Sequence, residues 1–323
     1  MKRILLAAAA AIAAATAASA EAYPSRPVTM IVPFAAGGPT DIVARIVSDH
    51  MTRTLGQQIV IENVGGAGGT VGTTLAAQSQ PDGYTIMMGH MGTHGAAPAL
   101  YPNLKYDPAK SFAPIGLAAG TPILIVTRKG FPASDLKGFL GEVKTNGPKL
   151  NEANAGVGSV SHTTCTLLQH LTQGKFTRVS YRGTGPVLND LVAGQVDFAC
   201  DQIVNLVPQI QTGNIKALAI ATPERSPSLP DVPTTTEAGL PEYKVSAWNA
   251  VFAPKGTPPE VVSKLAAALD KALDDENVRK RLSELGGVIP DSQGRTPAAL
   301  QVLVESEVAR WTPVLKAAGA TAN

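Results

Sequence analysis

The sequence predicts an α/β protein of two lobes, each built on a mostly parallel sheet flanked by helices and joined by two crossing hinge strands. Three observations predict this fold. Short apolar strands alternate with amphipathic helices, which favours parallel sheets. The chain of 323 residues exceeds the length at which a single core usually stops growing. Strands near residues 124 and 247 are placed to carry the chain out of one lobe and back again. The alternative is one large sheet without a cleft.

The first twenty residues have the pattern of an export signal. Lys2 and Arg3 precede an apolar run over residues 4–17, and Ala18-Ser19-Ala20 has the small residues of a cleavage site. The run is shorter than the roughly 20 apolar residues that a membrane-spanning helix needs. We therefore expect a periplasmic protein cleaved after Ala20. A retained N-terminal anchor is the alternative.

Without that signal the chain is formally neutral, because 25 of its 27 basic residues remain against 25 acidic ones. Such a balance gives no basic surface for nucleic acid or for an anionic membrane. We expect a monomer without a cofactor, a metal or a nucleic-acid partner. Cys165 and Cys200 are the two cysteines of the chain, and an oxidising compartment favours a disulfide between them. Two buried thiols are the alternative.

Hydrophobic periodicity and turn residues place the elements of the first half of the chain. The predicted strands are 28–32, 58–62 and 84–88, and the predicted helices are 40–54 and 71–78. Thr40 or Asp41 is positioned to cap the first of these helices.

The same alternation continues in the second half. The predicted strands are 123–127, 151–155, 177–181, 195–199 and 215–221, and the predicted helices are 134–144, 161–172, 186–193 and 204–211. A proline-rich connection, 223–241, leads to a strand at 247–253 and to helices at 259–285, broken near Asp275, and 296–318. Residues 24–124 with 247–323 are thus expected to form lobe 1, and residues 125–246 lobe 2.

Three glycine-rich turns between a strand and a helix are candidate anion sites: 34–41, 65–72 and 155–162. The first N–H groups of a helix have no partner within it, the helix dipole is positive there, and glycine lets a ligand approach the backbone. The second turn also resembles a dinucleotide fingerprint, but Val71 stands where the third glycine belongs, so a turn that packs its helix is favoured.

Polar residues in the third turn allow two interpretations. Ser159 or Ser161 with His162 could form the nucleophile and base of a secreted hydrolase, but the Gly-x-Ser-x-Gly elbow is missing. Hydrogen bonding to a ligand is favoured instead. His90 and His94 could join a metal site, yet no Cys or carboxylate cluster accompanies them, and solvated or core histidines are favoured.

Motifs along the whole mature chain are similar to those of one known family. They are Pro33-Phe34-Ala35-Ala36-Gly37-Gly38-Pro39-Thr40-Asp41 with Ala44-Arg45, Val60-Ile61-Glu62-Asn63, Gly66-Ala67-Gly68-Gly69, Pro81-Asp82-Gly83-Tyr84-Thr85, Gly158-Ser159-x-x-His162, Tyr181-Arg182-Gly183 with Asp190-Leu191, Gly194-x-Val196-Asp197 and Ala253-Pro254-x-Gly256-Thr257-Pro258. In this order they resemble the substrate-binding proteins of tripartite tricarboxylate transporters, also called the Bug family.

The resemblance implies a two-lobed periplasmic binding protein of type II-like fold that is not an enzyme. It implies that loops 35–41 and 158–162 hold one carboxylate of the ligand between them. Implied ligands are di- and tricarboxylates, acidic amino acids and aromatic carboxylates, and the implied partner is a membrane permease. A periplasmic sensor for a signalling system is the alternative to transport, and the Ser/His hydrolase is a third.

The candidate ligand-binding residues are Phe34, Ala35, Gly37, Gly38, Pro39, Thr40, Asp41, His90, Gly158, Ser159, Ser161, His162, Gly183, Thr184 and Asp201. Three arginines near strand ends could pair with a second carboxylate. Solvation is favoured for Arg128, and Arg182 and Arg178 stay open.

Overall fold

The structure is a computed structural model, and it describes residues 23–322. The predicted signal segment and its cleavage after Ala20 lie outside the described residues. Within them, none of the helices combines the length and apolar character needed to cross a bilayer.

Nine strands form one mixed sheet with helices on its faces. The strands are β1 (Val28–Val32), β2 (Ile59–Asn63), β3 (Thr85–His90), β4 (Phe112–Arg128), β5 (Asn151–Asn154), β6 (Thr177–Ser180), β7 (Phe198–Gln202), β8 (Ile215–Ile220) and β9 (Ser246–Pro254). Their order is β2-β1-β3-β9-β4-β7-β5-β6, and β8 also pairs with β4.

Ten α-helices accompany the sheet in the described part of the chain. They are α1 (Pro39–Leu55), α2 (Thr70–Gln78), α3 (Ala97–Leu100), α4 (Leu136–Asn146), α5 (Val160–Thr172), α6 (Thr184–Val192), α7 (Ile203–Gln211), α8 (Pro259–Asp274), α9 (Glu276–Glu284) and α10 (Pro297–Ala317). Short 3₁₀ turns cover Ala67–Gly69 and Gly147–Lys149, and a π-helical turn covers Gly92–Ala96.

Strand direction changes at the middle of the sheet. β1 pairs with β2 and β3 in parallel, and β5 pairs with β6 and β7 in parallel, as the alternation of strands and helices predicted. β4 and β9 run antiparallel to each other and to the strands beside them, β3, β7 and β8. The parallel groups therefore lie on the two sides of an antiparallel centre.

The long strand β4 belongs to both halves of the sheet. Its first part pairs with β9 down to Pro122, and its last part, from Ile123 onward, pairs with β7 and β8. β9 begins at Ser246, opposite Pro122, so both strands pass the same point of the sheet. Next to this point, Trp248 of β9 and Trp311 of α10 are buried and donate their indole N–H groups to the same oxygen, Oε2 of Glu307, at 3.2 and 3.1 Å.

Most predicted elements agree with the observed ones to within two residues, and three differ by more. β4 starts at Phe112 rather than 123. Its first part contains Pro114, Gly116, Gly120 and Pro122, which argue against a strand in the sequence, and shifts of register in its pairing with β9 accommodate them. β7 lies three residues later than predicted. The helical turns over residues 92–100 were missed.

The expected disulfide is present and joins α5 to β7. The Cα atoms of Cys165 and Cys200 lie 5.3 Å apart, within the range that a disulfide requires, and both residues are fully buried. The bond fixes the helix that follows the third glycine-rich turn against the strand that ends at Asp201 and Gln202.

Candidate ligand-binding site

Four helices begin around one small cavity, which we call the inner cavity. They are α1, α5, α6 and α7. The cavity has a volume of ≈ 20 Å³ and is lined by Phe34, Gly38, Pro39, Thr40, His90, Ala155, Ser159, Val160, Ser161, Thr184, Asp201 and Gln202. It has room for about one water molecule. Because each helix start offers free N–H groups and a positive dipole end, the cavity favours a negatively charged group.

Asp41 fixes the shape of the first loop. Its Oδ2 accepts hydrogen bonds from the Gly37 N–H and from Arg45 Nε, each at 2.8 Å, and its Oδ1 accepts one from Asn63 Nδ2 at 2.9 Å. Burial acts to raise the pKa of Asp41, but these hydrogen bonds hold it below its usual value. The Asp41 carboxylate therefore holds the loop together through Gly37, Arg45 and Asn63.

The predicted N-cap of α1 was wrong. The capping position is Gly38, and neither Thr40 nor Asp41 caps the helix with its side chain. Pro39 at the first helical position supplies no N–H, so one donor fewer needs a partner. Thr40 is thereby left to line the inner cavity rather than to close its own helix.

The third loop presents a serine to the inner cavity. Ser159 is the N-cap of α5 and accepts from the His162 N–H at 3.2 Å. Ser161 Oγ accepts from the Ala155 N–H at 3.0 Å and lies 3.2 Å from Ser159 Oγ. Either hydroxyl can be the donor of this pair, and where Ser161 donates, the hydroxyl proton of Ser159 is left for a ligand.

His162 lies behind this loop, outside the residues that line the inner cavity. Its Nε2 lies 3.0 Å from Nη1 of Arg178, which can only donate, and its Nδ1 lies 3.4 Å from the Gly158 N, so both ring nitrogens face donors. Burial, with the nearby charge of Arg178, lowers the pKa of His162 to about 4. No hydrogen bond joins its ring to Ser159 or Ser161 in the described structure, so the serine–histidine pair of a hydrolase is not formed.

His90 contributes a neutral ring to the inner cavity. Its Nδ1 accepts from the Gly92 N–H at 2.7 Å, which leaves Nε2–H as the remaining donor of the ring. Burial lowers the pKa of His90 to about 3, so the ring stays neutral at physiological pH. Phe34 stacks on it with ring centroids 4.8 Å apart.

His94 lies in the core instead. Its ring stacks on Phe252 with centroids 4.0 Å apart, and within residues 23–322 no group of three His, Cys, Asp or Glu side chains is arranged to hold a metal ion.

Asp201 is an acidic side chain in the wall of this anion-favouring cavity. The residue is 1 % exposed, and its Oδ1 accepts from the Gln202 N–H at 2.8 Å. Its Oδ2 is buried and has no hydrogen-bond partner among residues 23–322. Burial raises the pKa of Asp201 to about 7, against the Gln202 N–H and the nearby Thr184 hydroxyl, which both favour the charged form.

A second cavity, the outer cavity, shares Phe34 and Ala155 with the inner one and measures ≈ 1010 Å³. Its other lining residues are Ala35, Asn63, Gly65, Gly66, Ala67, Gly68, Gly69, Tyr101, Gly156, Val157, Tyr181, Arg182, Thr321 and Ala322. The second and third glycine-rich turns therefore face each other across it. Arg182 is exposed and forms no hydrogen bond or ion pair with the described residues.

The two turns touch at Gly68 and Val157. A Cβ atom on Gly68 would lie 2.1 Å from the carbonyl oxygen of Val157, and the Tyr101 hydroxyl donates to the same oxygen at 2.6 Å. Gly68 also has a φ of 61°, a left-handed conformation that favours glycine. Only a residue without a side chain allows this close approach.

Of the predicted ligand-binding residues, nine line the inner cavity: Phe34, Gly38, Pro39, Thr40, His90, Ser159, Ser161, Thr184 and Asp201. Ala35 lines the outer cavity, and Gly37, Asp41, Gly158, His162 and Gly183 line neither. The candidate residues left out Ala155 and Val160 of the inner wall, although both lie in the predicted turn 155–162, and Gln202, which follows Asp201. The sequence analysis gave no signal for Tyr101 of the outer wall.

The other arginines are engaged elsewhere. Arg128 is not solvated as expected, because its Nε donates to Asp197 at 3.0 Å. Arg178 contacts His162 and donates to Gln169 at 2.6 Å. Arg182 is thus the one arginine of the three that borders a cavity.

Comparisons with known proteins agree with this architecture. The family model described as "Tripartite tricarboxylate transporter family receptor" matches residues 43–320. MatC from Rhodopseudomonas palustris, solved with bound malate, is 51 % identical with a TM-score of 0.88, and the match covers 91 % of this chain and 100 % of MatC. The periplasmic binding protein BugD is 44 % identical with a TM-score of 0.89, over 93 % and 100 % of the two chains.

A further R. palustris protein, solved with adipate, is 33 % identical with a TM-score of 0.88, and the match covers 93 % of this chain and 100 % of that one. These similarities confirm the predicted α/β fold of a periplasmic binding protein.

Proposed function

This chain belongs to the tripartite tricarboxylate transporter receptor family, and we propose that it captures a small dicarboxylate, with malate as the first candidate, and delivers it to the permease of such a transporter. The members of this family are periplasmic solute-binding receptors, so the chain is a binding protein and not an enzyme, as expected. We further propose that the export signal is cleaved after Ala20 and that the receptor works as a monomer.

The convergence of four helix N-termini on the inner cavity is the observation that carries this proposal. The lining, described above, includes no Lys or Arg. The donors available to a carboxylate are backbone N–H groups, the hydroxyls of Thr40 and Ser159 and the Nε2–H of His90, while the Thr184 hydroxyl lies near Asp201. Such donors are already held in place by the fold, so binding does not have to order long cationic side chains.

The rest of the ligand is proposed to extend into the outer cavity. The inner cavity is too small for more than one end of such a ligand, and it shares Phe34 and Ala155 with the outer one. The exposed guanidinium of Arg182 is then available to the second carboxylate. Two related structures with bound dicarboxylates, malate and adipate, support a ligand with two acidic ends.

Closure around the ligand is proposed to occur between two lobes. Residues 24–124 with 247–323 would form one lobe and residues 125–246 the other, hinged where β4 and β9 pass each other at Pro122 and Ser246. The inner cavity would then lie between the lobes, since Thr40 and His90 come from the first and Ser159, Thr184 and Asp201 from the second.

Malate should raise the melting temperature of the purified protein. A ligand at 100 times its dissociation constant adds about 2.7 kcal/mol to the free energy of unfolding if it binds only the folded state. A thermal-shift panel of L-malate, succinate, adipate, citrate and butyrate, followed by calorimetry, tests this. The ligand recovered from the complex should be unchanged. A protein that responds to no member with two carboxylates would contradict the proposal.

Substitution of Arg182 with glutamine should separate ligands by their second charge. We expect the affinity for malate to fall roughly three- to tenfold, as for a partly solvated ion pair. Lactate, which lacks the second carboxylate, should bind the variant as it binds the wild type. Arg225→Gln is the matched control, because Arg225 is an exposed arginine paired with Glu237 away from both cavities. Equal losses of affinity for malate and lactate would contradict this role, because Arg182 would then not act on the second carboxylate.

A further inference from the structure

The acidic side chain in the inner cavity conflicts with a purely anionic ligand. A ligand carboxylate has only acceptor oxygens, and an ionised Asp201 would add two more. The inner cavity is so small that a carboxylate entering it would meet the wall, of which Asp201 is part. Two ionised carboxylates in direct contact repel each other strongly, and a cation, a proton or a bridging water between them relieves the repulsion.

No cation in the described structure is placed to resolve this conflict. On the elements around Asp201, the titratable or charged side chains toward the inner cavity are Asp41 and Arg45 of α1, His90 of β3, Glu152 of β5 and His162 of α5, with Arg178 of β6 beside Glu152. Arg128 of β4 is paired with Asp197, Asp190 of α6 accepts from the Tyr181 hydroxyl, and His170 lies in the last turn of α5. His90 and His162 are neutral for the reasons given above, and Asp41 is held by Arg45.

Arg178 is committed to a different carboxylate. Its Nε lies 4.0 Å from Oε2 of Glu152, which is fully buried, and its other nitrogens contact His162 and Gln169. Asp201 takes part in no ion pair within residues 23–322. Burial raises the pKa of Glu152 to about 7 as well, and a negative charge on Asp201 would raise it further.

We propose that Asp201 binds the ligand as a neutral carboxylic acid whose Oδ2–H donates a hydrogen bond to the ligand carboxylate. Oδ1 is already satisfied by the Gln202 N–H, so Oδ2 is the free oxygen. A proton on Oδ2 turns a repulsive contact into a charge-assisted hydrogen bond. This inference rests on the proposed function, because it assumes a carboxylate in the inner cavity.

Binding should then take up a proton from solution. The burial of Asp201 already raises its pKa to about 7, and a bound carboxylate raises it further. Below this pH the acid is protonated before the ligand arrives, and the affinity is independent of pH. Above it the proton must be acquired on binding, so the affinity should fall about tenfold per pH unit until the pKa of the complex is reached.

Calorimetric titration with L-malate, and with adipate as the second probe, tests the proposal. We expect uptake of about one proton per ligand near pH 8, measured in two buffers of different ionisation enthalpy, and little uptake near pH 6. Asp201→Asn replaces the O–H donor with an N–H donor that does not titrate. It should bind malate within about tenfold of the wild type near pH 6 and should take up no proton.

Glu152→Gln is the matched control, because it removes the other buried carboxyl and should keep the proton uptake. The wild-type measurement stands alone if Asp201→Asn does not fold. Malate that binds the wild type without proton uptake overturns the proposal and leaves the proposed function intact, as does uptake that persists in Asp201→Asn. Wild-type protein that binds neither probe contradicts the proposed function, and this proposal with it.

Discussion

Replacing Gly68 with alanine is expected to lower the affinity for malate by about 100-fold. The new methyl group would lie 2.1 Å from the carbonyl oxygen of Val157, where the second and third glycine-rich turns meet. Overpacking of this kind typically costs about 1 to 3 kcal/mol, and the left-handed backbone adds to it. The contact joins the two proposed lobes, so the cost should weigh on the closed state that holds the ligand.

Gly56→Ala separates the effect of the clash with Val157 from the effect of the left-handed backbone. Gly56 has a similar φ, 71°, but no atom lies within 4 Å of the position of its Cβ, and it ends α1 away from both cavities. This control should lose some stability and keep its affinity for malate. Small-angle scattering should show that Gly68→Ala compacts less than the wild type on adding malate. An unchanged affinity for malate with a lowered melting temperature would mean that Gly68 contacts Val157 in the open and closed states alike, and that the contact does not form on closure.

Removing the disulfide between Cys165 and Cys200 should strongly lower the free energy of unfolding. The bond closes a loop with a sequence separation of 35 residues. In the chain-entropy model such a loop contributes about 4 kcal/mol by restricting the unfolded state. The double variant Cys165→Ala/Cys200→Ala should therefore melt roughly 10 °C below the wild type in a calorimetric scan.

The wild type scanned after reduction is the control, since it loses the bond but keeps both side chains in the core. It should show most of the same decrease. If reduction leaves the melting temperature unchanged while the double variant falls, the packing of two fully buried cysteines, and not the cross-link, supplies the stability.

Periodicity predicted the elements whose apolar residues follow one pattern throughout. α1 agrees with prediction because its buried positions repeat at helical spacing and glycine stands at both of its ends. β1 and β3 agree because each is a short run of mostly buried residues bounded by turn residues. The first half of β4 gave no such signal, since prolines and glycines interrupt it and only its pairing with β9 holds it extended. Tertiary pairing, not local preference, determines that strand.

The candidate site was predictable to the extent that it depends on backbone. The glycine-rich turns identify helix starts, and Ser159 at its cap follows from the same local rule. Local rules could not bring α6 and α7 to the same cavity, because that depends on the order of β5, β6 and β7. Nor could they show that the Asp41 carboxylate accepts from Arg45 and Asn63, while Oδ2 of Asp201 has no hydrogen-bond partner among residues 23–322.

The shared carboxylate between the two indoles has an optical consequence. Trp248 and Trp311 are the two tryptophans of the chain, both are buried, and both donate to Glu307 beside the point where β4 and β9 pass each other. Any shift of β9 against α10 changes the surroundings of both rings at once. The intrinsic fluorescence of the unlabelled protein therefore reports on the proposed hinge, and stopped-flow emission after mixing with malate would give the rate of the proposed closure.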